Sequence, residues 1–273
     1  MNVTQQEKAV RFRALHDGPG AFIVPNPWDI ASARILAGFG FQALATSSAA
    51  SAVSVGHRDG GLSREQALAH AKLIVDASDL PVSADLERGF GDSPEVVAQT
   101  IPLAAQAGLV GCTIEDASGN PDAPIYDFNL SVDRISAAAE EARRLPFPFM
   151  LTARAHNLLF GKPDLDETIR RLQAFAEAGA DVLFAPGLPD IAAVSAVCRS
   201  VSKPFNFMVG IPGQSFSVSA LEDAGVRRIS LATSLYRAAM TGFLDAVREV
   251  RDKGQFEFLD RSVSTAELLR LMR

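Results

Sequence analysis

Residues 93–116 read SPEVVAQTIPLAAQAGLVGCTIED, and they contain the local plan from which the fold follows. Ser93-Pro94 is typical of a helix start, with a capping side chain followed by proline in the first turn. The helix is predicted to end at Ala107-Gly108, because glycine there takes the left-handed conformation that stops a helix. An apolar strand then runs to Glu115 and Asp116. The stretch therefore predicts a helix, a tight turn and a strand that ends in acids.

The same helix ending recurs at Ala37-Gly38, Ala178-Gly179 and Ala224-Gly225. In chain order, the endings at Ala37, Ala107 and Ala178 are 70 and 71 residues apart, which leaves room for two strand–helix units in each interval. Filling the intervals predicts strands near 21–25, 42–47, 81–85, 111–115, 149–154, 181–185, 205–208 and 228–232. The helices are predicted near 29–38, 63–77, 94–107, 131–144, 165–178, 190–200, 215–224 and 233–252.

Eight alternating strand–helix pairs predict an α/β fold, a closed parallel (β/α)8 barrel of the TIM type. The competing arrangement is a doubly wound open sheet, but the chain has no glycine-rich dinucleotide fingerprint. Two segments lie outside the eight units: a helix predicted over 4–16, and an apolar tail over 256–273. We expect one barrel domain over 1–273, with 253–273 as a helical extension that packs on a partner subunit and is open to domain exchange.

Composition limits the functions that the chain can have. Its 273 residues carry a formal net charge of −6, with 48% hydrophobic and 21% charged residues, which describes an ordinary globular protein. The negative charge argues against a nucleic-acid binder or an anionic-membrane binder. Residues 1–17 are polar and no later stretch approaches the roughly 20 apolar residues of a membrane span, so we expect neither a signal peptide nor a membrane span. Its two cysteines, Cys112 and Cys198, suit a reducing cytosol, so the expected location is cytoplasmic.

Acidic residues stand at the predicted tips of two neighbouring strands. Asp85 and Glu87 share one face of an extended chain, and Glu115 ends the next strand at an equivalent depth. Carboxylates this close repel one another unless a hard divalent cation neutralises them. Two structural alternatives stay open: Asp85 is held by Arg88 or by the amides of the next helix, and Glu115 forms a buried ion pair with Arg154.

Other strand tips offer groups that can bind a carboxylate. Small residues follow the second strand and could cradle an oxyanion, or simply cap a helix: Thr46, Ser47, Ser48 and Ala49. Arg154, at the tip of the fifth strand, can grip a carboxylate through its planar fork. His57 and His156 fall in loops on the same face and could titrate near neutral pH. Both cysteines are predicted to be core residues.

These residues together resemble the isocitrate lyase/phosphoenolpyruvate mutase superfamily. The matching segments run in the family's order over residues 20–240: Asn26-Pro27-Trp28-Asp29, Ser32-Ala33-Arg34, Thr46-Ser47-Ser48, Asp85-Leu86-Glu87-Arg88-Gly89-Phe90-Gly91, Ile114-Glu115-Asp116, Ala153-Arg154, Asn206 and Ser234-Leu235-Tyr236-Arg237. The resemblance implies a (β/α)8 barrel, an essential Mg²⁺ (or Mn²⁺), and a homo-oligomer, a dimer or a tetramer, whose subunits exchange a C-terminal helix.

The resemblance also implies a role for each matching position. Asp85 would bind the metal directly, while Asp59, Glu87 and Glu115 would hold its waters. Thr46, Ser47, Ser48 and Ala49 would lie at the α-oxo-carboxylate end of the substrate, with Arg154 and Asn206 contacting the rest of it. The implied chemistry proceeds on α-oxo or α-hydroxy carboxylates through an enolate-like species. Arg154 and Glu115 would take part in catalysis.

The chain departs from the family in the loop at 118–127. Isocitrate and methylisocitrate lyases carry a Cys-containing motif there, and phosphoenolpyruvate mutases use Lys and Asn, whereas this loop has no Cys, Lys or His. We therefore expect a Mg²⁺-dependent carbon–carbon lyase or decarboxylase, other than a true isocitrate or methylisocitrate lyase. Its substrate would be a small oxaloacetate-like or methylmalate-like dicarboxylate, with water or Tyr126 as the proton donor. The alternatives are phosphonopyruvate hydrolase or mutase chemistry, and a non-catalytic protein that binds an α-oxo acid.

Overall fold

Parallel strands form the wall of a barrel in a computed structural model that describes residues 3–161 and 163–272. The strands are β1 (Phe22–Val24), β2 (Leu44–Ala45), β3 (Val82–Asp85), β4 (Gly111–Glu115), β5 (Met150–Arg154), β6 (Val182–Phe184), β7 (Phe205–Met208) and β8 (Arg228–Ser230). They pair in the order β1-β8-β7-β6-β5-β4-β3-β2, with every ladder parallel. The Ala45 amide donates to the Pro25 carbonyl (3.1 Å) and links β2 to β1. The predicted (β/α)8 barrel is confirmed.

Helices surround this wall at nearly the predicted positions. They are α1 (Gln5–Asp17), α2 (Ile30–Gly38), α3 (Ser48–Ser54), α4 (Arg64–Ala77), α5 (Pro94–Gln106), α6 (Phe128–Arg144), α7 (Leu165–Glu177), α8 (Ile191–Ser200), α9 (Val218–Asp223), α10 (Ser234–Lys253) and α11 (Thr265–Leu271), with a 3₁₀ turn at Glu257–Arg261. Helix α3 was not predicted, because its seven residues are too few to show a period. Pro94 opens α5 as expected, but the Ser93 side chain makes no capping bond.

The glycines that punctuate the sequence have two different roles. Gly108, Gly179 and Gly225 take the predicted left-handed conformation, with φ between 90° and 107°. Gly38 does not; it is still helical, and α2 is stopped two residues later at Gly40 (φ 83°). A side chain at Gly38 would lie 2.4 Å from the Leu271 carbonyl oxygen. Glycine is therefore needed at position 38 because α11 packs there.

The amino end of the barrel is closed by α1. A reciprocal cap between Thr4 and Glu7 starts this helix, as expected for a Thr-x-x-Glu sequence. Its buried face places Phe12 and His16 beneath the strands, where both rings pack edge-on against Phe22. Phe12 is fully buried in a cluster with Ala9, Val24, Ala43, Ala45, Val110, Met150 and Val182. This end of the barrel is thus an apolar plug.

The C-terminal segment lies on the outside of the barrel. Helix α10 has no buried residue, and its exposed apolar side chains continue into the tail: Phe243, Leu244, Val247, Val250, Phe256, Leu259, Val263 and Leu269. Helix α11 contacts α2 of the same chain. Over residues 3–161 and 163–272, none of the helices combines the length and the apolar character that crossing a membrane requires.

Candidate active site

The carboxyl ends of the strands surround a cavity of about 440 Å³. Its wall includes ten side chains that the sequence singled out: Thr46, Ser47, Ser48, Ala49, Asp59, Asp85, Glu87, Glu115, Arg154 and Asn206. They come from loops and strands far apart in the sequence, and the barrel brings them to one place. Tyr126 is not among the residues that line this cavity.

Asp85 is held at the end of β3 by three hydrogen bonds. Its amide donates to Thr46 Oγ1 (3.2 Å), and its carboxylate accepts from Ser48 Oγ (3.2 Å) and from the Glu87 amide (3.1 Å). The strand stops at Asp85, so the alternation that predicted Glu87 on the same face does not extend to it. Glu87 instead takes a left-handed conformation (φ 51°), and this turn directs it toward the cavity.

A buried arginine clamps the loop that follows these two acids. Arg134, on α6, is 1% exposed and donates to the carbonyl oxygens of Gly91 (2.6 Å), Asp92 (2.5 Å) and Arg88. Gly89 (φ 76°) supplies the left-handed turn within this loop. The Arg88 side chain pairs with Asp92 (3.8 Å), so it does not hold Asp85 as one alternative had proposed.

Arg154 lies between two of the acids. Its Nη1 is 3.4 Å from Asp85 Oδ2 and 3.5 Å from Glu115 Oε2, and its guanidinium stacks over the Phe184 ring at 4.9 Å. His156 Nε2 lies 3.0 Å from the same Glu115 oxygen. Glu115 therefore forms the predicted ion pair with Arg154 and also lines the cavity.

The three acids differ in how readily they ionise. Burial raises the pKa of Glu87 to about 7, assisted by the negative charges of Asp85, Glu115 and Asp59. Burial also raises the pKa of Asp85, against the opposing effect of Arg154. Burial alone would raise the pKa of Glu115 as well, but the charges of His156 and Arg154 outweigh it and hold that pKa at about 2. Negative charge thus exceeds its local compensation around Asp85 and Glu87.

This donor set fits a hydrated divalent cation. Over the described ranges, no group of three His, Cys, Asp or Glu side chains is arranged to hold a metal ion by itself. Mg²⁺ usually takes one or two carboxylates and keeps several of its waters, so such a closed cluster is not required. Carboxylate oxygens of Asp59, Asp85, Glu87 and Glu115 line the cavity. The pKa of Glu87 is raised first by burial and then by the neighbouring negative charges, and a cation would offset both effects.

Tyr126 lies outside the cavity. Its hydroxyl donates to Asp92 Oδ1 (2.5 Å), and the Arg134 guanidinium stands 4.2 Å from its ring centroid. Burial and the bond to Asp92 raise the pKa of Tyr126 to about 12. The loop that carries it folds back on itself through a bridge between Ala117 and Ile125. In this arrangement Tyr126 does not reach the place where the predicted proton donor would act.

Some residues of the cavity were given no role from the sequence. Arg228, Thr113 and Ser230 form its deeper part, and Phe160, Phe184 and Met208 form an apolar side. Arg228 could have been proposed as a cavity residue, because a charged residue in a predicted strand faces either the barrel interior or the helices. Its neighbour Arg227 was an equal candidate, and only the strand register decides which of the two side chains faces inward.

Two structural alternatives raised by the sequence are borne out. The Ser47 hydroxyl caps α3 by accepting from the Ala50 amide (3.4 Å), which matches the helix-cap alternative for this segment. Cys112 is fully buried, and Cys198 packs against the core from a half-buried position. Neither thiol lines the cavity.

Residues 12–251 match the sequence profile of the family described as phosphoenolpyruvate phosphomutase. The chain belongs to this family. The predicted resemblance to the isocitrate lyase/phosphoenolpyruvate mutase superfamily is therefore confirmed. A crystal structure of a Burkholderia cenocepacia J2315 protein superposes on the chain with a TM-score of 0.95, at 52% identity over 97% of this chain and 95% of the other.

Two curated relatives of this family member have names that describe an activity. The Corynebacterium glutamicum protein "Probable 2-methylisocitrate lyase 2" is 29% identical over 280 residues, covering 99% of this chain and 89% of its own length. The oxaloacetate decarboxylase of Pseudomonas aeruginosa is 29% identical over 255 residues, covering 91% and 87%. The chain is accordingly an enzyme of this superfamily of lyases and mutases.

Proposed function

We propose that the chain is a divalent-metal-dependent carbon–carbon lyase or decarboxylase acting on a small α-oxo or α-hydroxy dicarboxylate. The observation that carries this proposal is the cavity lined by Asp85, Glu87, Glu115 and Arg154, in which Arg154 contacts Asp85 and Glu115. Three acids and one arginine at the strand tips suit a ligand that has both a coordinated oxygen and a free carboxylate.

Mg²⁺ or Mn²⁺ is the cation that we assign to this site. Asp85 is the residue to hold it directly, and Asp59, Glu87 and Glu115 are the residues to hold its waters. When bound, such an ion supplies the positive charge that stabilises a developing enolate, typically by several kcal/mol. The chain's own contribution is to hold the acids at fixed positions before substrate arrives, which avoids reorganisation during the reaction.

Arg154 is assigned to the substrate carboxylate. Phe184 supports one face of its guanidinium, and Asp85 and Glu115 contact one of its terminal nitrogens at 3.4 and 3.5 Å. A guanidinium fixed in this way presents a planar fork in a defined direction. Thr46, Ser47, Ser48 and Ala49 are assigned to the α-oxo-carboxylate end, and Asn206 to the opposite side of the ligand. All of these residues line the cavity, which supports the assignment.

The composition of the loop at 118–127 limits the reactions that we propose for the site. It contains no Cys, Lys or His, so a thiol of this loop is not the acid or base. Decarboxylation of an oxaloacetate-like acid needs no such group, because loss of CO₂ leaves an enolate that water can protonate. We therefore favour an oxaloacetate-like or methylmalate-like substrate over a tricarboxylate. The apolar side formed by Phe160, Phe184 and Met208 supports a small substrate.

Metal removal and a substrate panel test this function. Purified protein is stripped with a chelator and assayed for pyruvate release from oxaloacetate and methylmalate-type acids, before and after Mg²⁺ or Mn²⁺ is restored. We expect turnover only with metal, and a loss of Mg²⁺ affinity in Asp85→Asn that the exposed control Glu140→Gln does not share. No turnover with any of these acids, together with unchanged Mg²⁺ affinity in Asp85→Asn, would sink the proposal.

The same substrate panel distinguishes the lyase from the two alternative functions, phosphorus–carbon chemistry and non-catalytic binding of an oxo acid. Phosphonopyruvate is included, and release of pyruvate with phosphate would assign phosphorus–carbon chemistry to the site instead. Tight binding of pyruvate or 2-oxoglutarate without turnover of any compound would assign a non-catalytic oxo-acid receptor. Each outcome is read from the same protein preparation.

We also propose that a second copy of the chain covers the exposed apolar face of α10 and the tail. Phe243, Phe256 and Leu259 are each about 60% exposed, at 58%, 60% and 61%, which is unusual for large apolar side chains gathered in one segment. Light scattering on the full chain should give a dimer or tetramer. Phe243→Asp with Leu259→Asp should give a monomer, whereas a wild-type monomer would refute this assembly.

A further inference from the structure

Arg228 is a buried arginine whose hydrogen-bonding capacity is almost unused. Its side chain lines the deeper part of the cavity, and the residue is 3% exposed. A guanidinium has five N–H donors. Within the described residues, Nη1 donates to Thr152 Oγ1 (3.1 Å), and the buried Nε has no partner. No carboxylate of those residues lies within ion-pair distance of it.

Other buried arginines of the barrel have more hydrogen-bond or ion-pair partners than Arg228. Arg134 donates to three backbone carbonyls, and Arg171 pairs with Asp116 (3.2 Å) and Glu167 (2.8 Å). Leaving a buried charge without such partners costs several kcal/mol. Burial lowers the pKa of Arg228 to about 10, so the side chain is still a cation at neutral pH. The Phe12 ring centroid lies 5.8 Å from the guanidinium carbon, but this ring accepts no charge-assisted hydrogen bond. Among the described residues, Arg228 therefore has donors left for a ligand.

The surroundings of Arg228 are polar on the side of the cavity. Asn206 stands beside it in the β7–β8 register, and is 1% exposed. The Asn206 amide nitrogen donates one N–H to Ser230 Oγ (3.1 Å) and keeps a second N–H that can donate to a carboxylate. Its oxygen has no partner among the described residues and can accept from a ligand hydroxyl or a water. Thr113 and Ser230 also line this part of the cavity. A cation with polar neighbours at the bottom of a cavity is suited to receive an anionic group.

The position of Arg228 relative to Arg154 suggests which anion. One row of register pairs joins them across the barrel wall, from Arg154 through Phe184 and Asn206 to Arg228. Arg154 contacts two acids, whereas Arg228 contacts none. A cavity of about 440 Å³ has room for a four-carbon acid and several waters, since a water occupies roughly 30 Å³.

We propose that Arg228 and Asn206 form a second carboxylate subsite at the floor of the cavity, which selects dicarboxylates over the corresponding monocarboxylates. This inference rests on the proposed function only in placing the ligand's other end at the acids and Arg154. It makes Arg228 a specificity-determining residue that contacts substrate. The ligand class is a small diacid with an oxygen on the carbon next to one carboxylate.

A matched pair of ligands tests the subsite. Malate and 2-hydroxybutyrate share the α-hydroxy acid end, but 2-hydroxybutyrate has a methyl group where malate has its second carboxylate. Calorimetry in the presence of Mg²⁺ measures the Kd of each ligand for wild type and for Arg228→Met. We expect Arg228→Met to weaken malate about 30-fold or more and to leave 2-hydroxybutyrate unchanged. Arg228→Lys should recover part of the loss for malate.

Arg227→Gln is the control. Arg227 is the adjacent residue of the chain, its side chain is only partly buried, and Nη1 donates to the Gly20 carbonyl (2.5 Å), away from the cavity. Its two Kd values should match those of wild type. Equal weakening of both ligands by Arg228→Met would mean that Arg228 is structural. If Arg228→Met did not weaken malate binding, ordered water alone would occupy the part of the cavity next to Arg228, and the subsite would be refuted.

A crystal of the wild-type protein with malate decides the case in which Arg228→Met does not fold. A malate carboxylate within hydrogen-bond distance of the Arg228 guanidinium supports the subsite, and waters alone at that position overturn it. Binding and turnover are separate readouts, so the two proposals fail separately. Malate selectivity that depends on Arg228 without metal-dependent turnover would keep the subsite and reject the lyase.

Discussion

The two ends of the barrel are built from the same strands and have opposite chemistry. At the carboxyl end, Asp85, Glu87 and Glu115 face a cavity together with Arg154, and burial raises the pKa of the first two acids. At the amino end, Phe12 and His16 of α1 pack beneath the strands in an apolar cluster. The carboxyl end therefore contains charged groups that would be more stable in water, and the amino end contains apolar groups that would be less stable in water.

This difference indicates how stability and activity are divided along the barrel axis. The apolar plug contributes stability through burial and needs no ligand. At the opposite end burial raises the pKa of Asp85 and of Glu87, so removing either acid should cost little stability while it removes a group that we assign to the metal. Mutations at the two ends should therefore separate the free energy of unfolding from metal affinity.

Phe12→Ala should have the largest effect on stability. The ring is fully buried, and its removal leaves a cavity at the barrel base, which typically costs about 4 kcal/mol. Urea unfolding at 25 °C measures the loss, and Mg²⁺ affinity should stay near wild type because Phe12 is at the other end of the barrel from the acids. Phe39→Ala, which truncates a side chain that is 65% exposed, is the control and should change little. A large fall in Mg²⁺ affinity for Phe12→Ala in folded protein would mean that the two ends are coupled.

Arg134→Met should destabilise the carboxyl end by about 3 kcal/mol, because three buried carbonyl oxygens lose a charged donor. It should also weaken Mg²⁺ binding, since the loop that Arg134 clamps begins next to Glu87. Arg143→Met, at an exposed position of the same helix, controls for loss of an arginine from α6. Unfolding and Mg²⁺ titration are both needed. Lower stability with unchanged Mg²⁺ affinity would show that Arg134 supports the fold without positioning the acids.

The pH dependence of stability should be set in part by His16. Burial, assisted by the charge of Arg228, lowers the pKa of His16 from 6.5 to about 3. The unfolded chain therefore takes up this proton first as the pH falls, so folded-state stability is lost below about pH 6.5. Between pH 7.5 and pH 5 this linkage amounts to about 2 kcal/mol.

His16→Phe isolates that contribution. The ring would keep its edge-on contacts with Phe12 (4.7 Å) and Phe22 (4.9 Å), and it removes a ring nitrogen that has no partner among the described residues. Unfolding free energies of wild type and variant at the two pH values give the difference directly, because all other groups cancel. An equal pH dependence in both proteins would show that folding does not lower the pKa of His16.

The fold was predictable because its signals are local and repeated. Apolar runs, helix starts and the Ala-Gly endings placed all eight strands, and the acids could be located because strand tips face the cavity of a barrel. Side-chain direction beyond a strand was not predictable, as Glu87 shows with its left-handed turn. Arg228 could not be separated from Arg227 without the register. The helix at Ser48–Ser54 was missed because it is short.

Tyr126→Phe should have the smallest effect, and it tests the one predicted site residue that the fold puts elsewhere. The hydroxyl donates to Asp92 and lies outside the cavity, so its loss should cost about 1 kcal/mol of stability or less and change kcat less than threefold, on the order expected for one exposed-side hydrogen bond. Rates and unfolding are measured on the same samples. If kcat instead fell a hundredfold at unchanged stability and KM, the 118–127 loop would have to rearrange during turnover and bring the hydroxyl to the substrate. The carboxyl end of the barrel would then gain a group that its resting geometry keeps apart from the acids.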